Sequence, residues 1–310
     1  MEPHEHTHTD SDASSVDETV HEQYIEAFGH KYHPSGKIFL PFDKQEQQRM
    51  ETQHRLYRLC LDGALTATRL PLEITDILDL GTGTGVWAIE MAARYPQARI
   101  VGVDASPIQR KKAVPPNVKF EIDDVENPWN IPSESLDFVH ARSIAGGVRD
   151  WVALFKQALE KLKPGGILEM TEIAIQFLDF DGKFGEAELC PGILETFRGL
   201  SEKVGIDFHP SPHVPDWLLE AGFEKIVQRS EILPLGDWAA DEKLKVRQSL
   251  MNEIVNKHFE SDNHCALLFQ NGGYKKEDLD TLIPTFWQDI EKTSHRPYMT
   301  AVFTTARKPQ

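Results

Sequence analysis

Residues 76–87 read DILDLGTGTGVW, an apolar run that closes on glycines at 81, 83 and 85. A β-rich run, a glycine turn and a helical pattern from Val86 would aim backbone N–H groups and a helix N-terminus at a ligand held at the carboxyl end of a sheet. Spacing weakens two phosphate-binding readings. The dinucleotide fingerprint needs a third glycine at position 86, which is Val86, and no Gly-Lys-Ser/Thr follows as in a P-loop. Carboxylates supply the other half: Asp79 within the run, Asp104 closing RIVGVD, and Asp123 with Asp124 closing VKFEIDD. Pyrophosphate calls for donors and positive charge. Acids at three strand ends suit instead a ribose, an adenine amine and a cationic amino-acid tail, the parts of S-adenosylmethionine (SAM). A glycine turn of this kind also arises merely to pack a helix on a sheet, but that alternative must account for Asp104 and Asp124 as well.

The elements that would position these residues alternate. DILDL, a helix from Val86 to about Tyr95, RIVGVD, VKFEID, LDFVHAR, a helix over DWVALFKQALEKL and ILEMTEI follow one another, the last launched by the KPGG turn. Such alternation predicts βαβ crossovers and a mostly parallel, Rossmann-like α/β sheet covered on both faces. Met50, Leu56, Leu59 and Cys60 fall at helical spacing, which predicts an amphipathic helix before the sheet. Helical patterns broken by Pro-rich loops fill 185–295, and MTAVFTTARKP returns as a last β-rich run. The expected division is an acidic tail (1–20), a helical lead-in or lid (21–70), a cofactor-binding core (71–184), a helical cap inserted before the last strand (185–295) and that strand with the C-terminus (296–310).

The chain has 310 residues, 40% of them apolar, enough for one large domain with a cap. Its formal charge is −16, and the first thirty residues hold eight acids without one Lys or Arg. Residues 1–20 carry too few apolar groups to offset the entropy of ordering and are expected to be disordered. The acidic balance repels phosphate backbones, so no nucleic-acid partner is expected. Cys60, Cys190 and Cys265 stand far apart without a CxxC pair, as suits a reducing compartment, and no metal site is expected. No apolar run reaches the ~20 residues of a membrane span. A cytoplasmic protein is expected, or a nuclear one if its role is regulatory.

DILDLGTGTGVWAIEMA, VGVDASPIQ, VKFEIDDVENPW, LDFVHARSI and LKPGGILEMTE together resemble the motifs of class I SAM-dependent methyltransferases. The flanks GHKYHPSGKIFLPFDKQEQQRMETQHRLYRLCLDG, LPLGDWAADEKLK and HRPYMTAVFTTARKP narrow the resemblance to the LaeA-like branch of fungal methyltransferases. It implies SAM as cofactor. By resemblance, Asp79 supports the glycine loop and meets the methionine ammonium, while Gly81, Thr82, Gly83 and Gly85 lie under the amino-acid part. Asp104 accepts from the ribose hydroxyls, with Ala105 following it. Asp124, or Asp123 if the register slips by one, accepts from the adenine amine, and the Val125 N–H reaches the ring. The carbonyl at Ala141 or Arg142 holds the ammonium. Tyr32 and His33 of GHKYH would fold over the cofactor as a lid or pack as an ordinary loop; Trp87 and Trp129 would cap the adenine or lie in the core.

Methyl transfer is an in-line displacement that needs alignment and dryness, and a base only when the nucleophile must lose a proton. The candidate bases are His140, His209 and His295, with His213 beside them. The aromatic-rich segment 185–295 should roof an acceptor pocket in which Phe208 and His209 take part. Two functions fit. One is methylation of O, N or S on a small molecule such as a fungal secondary metabolite. The other is a SAM-binding regulator of secondary metabolism that acts through protein partners or protein methylation.

Overall fold

The computed structural model describes residues 23–185, 189, 192–259, 265–291 and 295–310. The acidic tail and Cys190 lie outside them. A short hairpin, β1 (Ile25–Ala27) and β2 (His30–Tyr32), precedes helix α1 (Lys44–Cys60). The Asp43 carboxylate caps α1 by accepting from the backbone N–H groups of Gln45 and Glu46, both at 3.0 Å, and thereby fixes where the helix starts. The lead-in is therefore part hairpin, not wholly helical.

Alternation then builds the sheet: β3 (Asp76–Leu80), α2 (Val86–Arg94), β4 (Arg99–Asp104), β5 (Val118–Ile122), β6 (Leu136–Arg142), α3 (Trp151–Lys161) and β7 (Leu162–Asp179). Seven strands lie in the order β5-β4-β3-β6-β7-β9-β8. β5, β4, β3, β6 and β7 are parallel, while β9 (Pro297–Arg307) runs antiparallel between β7 and β8 (Glu224–Pro234). This is the Rossmann-like sheet the alternation predicts. Strand order reverses between β3 and β6, which puts their carboxyl ends at the switch point where open α/β sheets bind ligands.

The segment read as one helical insertion is interrupted. It holds α4 (Ile193–Lys203), α5 (Val214–Ala221), α6 (Glu242–Phe259), α7 (Ala266–Asn271) and α8 (Lys276–Ile290), but also β8, the sheet's edge. EKIVQRSEILP leaves Lys225, Gln228, Arg229 and Ser230 exposed, and an edge strand so defended carries little apolar signal. α5 packs on α3 and covers the sheet. α4, α6, α7 and α8 form a separate layer over the ends of β7 and β9, together with α1 and the hairpin.

Candidate functional site

A cleft of about 970 Å³, partly open to solvent, lies at the carboxyl ends of β3 and β4. One wall is the glycine loop with Asp104, Ala105, Asp124, Val125 and Arg142; Ile38, Leu40, Met50 and Gln53 of the lead-in face it. The loop owes its shape to packing as much as to any ligand. Gly81 has φ +63° and Gly85 φ +77°, and a Cβ at Gly81 would overlap Ile144 Cγ2, while one at Gly85 would overlap the Phe120 ring. Gly81, Thr82 and Gly83 border the cleft. Gly85 does not; it caps α2 in the left-handed conformation.

Asp104 ends β4 with both oxygens engaged: Oδ2 accepts from Gly83 N at 2.8 Å and Oδ1 from Ser106 N at 2.9 Å. Burial pushes its carboxyl up to about 6, against the pull of those two N–H groups. Each oxygen keeps a lone pair for a donor in the cleft. Asp79 is placed otherwise than expected. It is buried behind the loop and accepts from Thr82 Oγ1 at 2.6 Å, while His140 Nδ1 lies 2.7 Å from its other oxygen. It thus braces the loop and does not border the cleft. Burial lowers the His140 pKa, so a neutral ring with its Nδ1–H donated to Asp79 is the consistent tautomer. The Trp87 indole stacks on that ring with centroids 3.7 Å apart and donates its Nε1–H to the Leu65 carbonyl, which makes it core.

Other expected positions are placed by their surroundings. Tyr32 is fully buried in the cluster joining the hairpin to α4, α7 and α8, and it does not reach the cleft. Asp123 turns back on its own loop, accepting from Asp124 N and Asn127 Nδ2, so of the two acids only Asp124 borders the cleft. Trp129 donates to the Val125 carbonyl and packs on the core. Ala141 is buried within β6, and its neighbour Arg142 borders the cleft. The Arg142 guanidinium lies over the Tyr57 ring, 5.2 Å from its centroid, with no ion pair among the described residues; burial lowers its pKa. None of the three candidate histidines borders the cleft or the chamber beside it. His140 is sealed in the core, His209 stands next to the lining residue Phe208, and His295 packs on Phe184.

That chamber, about 980 Å³ and also partly open to solvent, shares Leu40, Arg49, Gln53 and Ser143 with the cleft. β7, α4, α6, α7 and α8 wall it with side chains such as Ile173, Phe197, Met251, Phe269 and Phe286, and Phe208 joins them as expected. Its polar groups gather at the shared end. Arg49 is held bidentately by Glu46, at 2.7 and 2.8 Å. Glu172, on β7, accepts from Ile144 N at 2.8 Å and Ala145 N at 3.2 Å through Oε1. Burial pushes Glu172 up to about 8. Sequence reasoning passed over Glu172, Gln53 and Ser143; the one available signal was an acid inside the apolar run ILEMTEI.

The donor set fits SAM. A half-buried strand-end carboxylate could take the ribose hydroxyls, Asp124 with the Val125 backbone the adenine, and Arg142, which has no ion pair among the described residues, an anion, which SAM has in its carboxylate.

Residues 45–228 match a family described as a methyltransferase domain. The chain is 38% identical to methyltransferase pytC of Aspergillus terreus over 246 residues, 78% of this chain and 75% of that protein. It is 33% identical to the secondary metabolism regulator laeA of Aspergillus flavus, covering 77% of this chain and 65% of that one. Against the protein-methionine methyltransferase laeA of Emericella nidulans it is 32% identical, covering 77% and 64%.

Proposed function

We propose, on the premise that this chain belongs to the methyltransferase-domain family and is a SAM-dependent methyltransferase, that its acceptor is a small apolar metabolite held in the chamber beside the cofactor cleft. SAM supplies an electrophilic methyl group. The chain's residues hold it: Asp104 accepts from the ribose, Asp124 and the Val125 N–H take the adenine, and Arg142 pairs with the carboxylate. Thr82 and His140 keep Asp79 fixed beneath the loop, so the loop is rigid before the cofactor arrives. Gln53 and Ser143, shared by both spaces, form the passage where nucleophile and methyl group meet.

The observation that carries this reading is the largely apolar chamber that shares its polar end with the cleft. Such a space buries a compact hydrophobic molecule and excludes water from the transfer. The layer α4–α8 without α5 is its roof, so residues 193–203, 242–259 and 265–290 act as the cap. The names of the laeA relatives favour a second reading, in which a protein side chain is methylated and the role is regulatory. Methyl-tritiated SAM, incubated with the protein and a fungal cell extract, decides between them. Label in the solvent-extractable small-molecule fraction is expected; label confined to protein would overturn the metabolite reading.

A further inference from the structure

We infer that Glu172 takes the proton from a neutral hydroxyl of the acceptor, so that the substrate is an apolar molecule presenting one alcohol or phenol at the shared end of the chamber. This rests on the chamber being the acceptor site. Its walls are aliphatic, aromatic and thioether side chains, with Cys265 as a weakly polar exception, so a hydroxyl elsewhere would be buried without a partner. Among the described side chains Gln53, Ser143, Glu172 and the N–H groups that Arg49 keeps beyond its pair with Glu46 can satisfy it, and of these Glu172 is the carboxylate that can take its proton.

Glu172 is built for that task. Oε1 is anchored by two backbone N–H groups, and Oε2 has no partner among the described residues although the side chain borders the chamber. One oxygen fixes the carboxylate and the other is available to a proton donor. Charged and titratable groups around it are Tyr57 and Arg49 on α1, Arg142 at the end of β6, Cys265 at the head of α7 and Asp207 in the loop before α5. Burial first, then Asp207, raises the carboxyl to about 8, a base strength suited to removing a hydroxyl proton near neutral pH. A hydroxyl is favoured over an ammonium because the methyl donor is itself a cation and Arg142 stands beside it. It is favoured over a carboxylate because that would set two acids together in a buried space. In the transfer the acceptor oxygen forms a bond to the methyl carbon as the carbon–sulfur bond breaks. The sulfur keeps that electron pair and becomes a neutral thioether, and the hydroxyl proton passes to Glu172 Oε2.

The test uses 1-naphthol, 1-naphthylamine and 1-naphthoic acid, probes of one shape and three polar groups, with the full chain and E172Q. Glutamine keeps the Oε1 anchor but cannot accept the proton. Calorimetry on the S-adenosylhomocysteine-loaded protein is expected to show 1-naphthol binding at least tenfold tighter than the other two. E172Q should bind it within threefold of wild type yet transfer methyl at least 100-fold more slowly. Wild-type turnover should rise with pH through a midpoint near 8 and level off above it. A readout without substrate is the melting temperature. Because the folded pKa is raised, stability from the protonated Glu172 is full below about 4.5 and lost as pH rises through 8, so wild type should lose more than E172Q between pH 6 and 8.5. E172Q turnover within threefold of wild type, or a flat wild-type pH profile, overturns the inference; so does preference for the amine or the acid. If none of the probes binds, the chamber reading itself fails.

Discussion

Asp104→Asn tests the cofactor assignment through both charge and pH. The carboxylate of Asp104 accepts Gly83 N and Ser106 N at 2.8 and 2.9 Å while burial holds it up to about 6. Asparagine can accept from only one of those N–H groups and turns a donor toward the other. It also removes the negative charge that would meet the ribose hydroxyls. A hydrogen bond to a charged group is worth about 1.5–3 kcal/mol, and each 1.4 kcal/mol is a factor of ten, so S-adenosylhomocysteine should bind about 10- to 100-fold more weakly. The wild-type protein gives a second signal. At pH 5 only about a tenth of a carboxyl titrating near 6 is ionised, so affinity should fall up to about tenfold between pH 7.5 and 5, less if the ligand prefers both forms. Asp104→Asn should abolish that slope. Isothermal calorimetry at pH 5, 6 and 7.5 reads both effects. Affinity in the variant within twofold of wild type, or a wild-type profile flat across this range, would refute a charged ribose acceptor at the end of β4.

Gly81→Ala should cost about 1–3 kcal/mol of stability, because it forces a Cβ into Ile144 at φ +63°; an unchanged melting temperature would mean that the loop yields freely. Arg142→Met should weaken S-adenosylhomocysteine at least tenfold, from loss of a charged hydrogen bond, and leave 5′-methylthioadenosine, which lacks the carboxylate, unaffected; equal losses for both ligands would place Arg142 elsewhere. His140→Phe leaves the buried Asp79 Oδ1 without its partner and should cost about 1–3 kcal/mol without moving the pH profile of turnover, whereas a displaced profile would make His140 a base after all.

The cofactor half of the site was legible because its signals are local. The run before Gly81, the positive-φ glycines and the acid closing RIVGVD each occupy a few consecutive residues, and strand–helix alternation says that neighbouring strand ends converge. The acceptor half was not, because its polar end draws Gln53 from α1, Ser143 from beyond β6 and Glu172 from β7. No sequence window contains that group. Tyr32 shows the opposite error, since an aromatic with a polar tip beside two histidines suggests a lid but serves as the packed base of the hairpin. Asp79 was found for its motif and given a ligand-facing role, although its side chain serves His140 and Thr82. β8 escaped because an edge strand with exposed polar residues along its middle lacks the apolar run that marks the buried strands.

A crystal structure with S-adenosylhomocysteine bound tests the central claim most directly. The ribose hydroxyls should lie within hydrogen-bond distance of Asp104 and the carboxylate beside Arg142. The sulfur should face the passage formed by Gln53 and Ser143, open to the apolar chamber. A ligand whose sulfur points to solvent, with the chamber sealed off behind Gln53, would contradict the account.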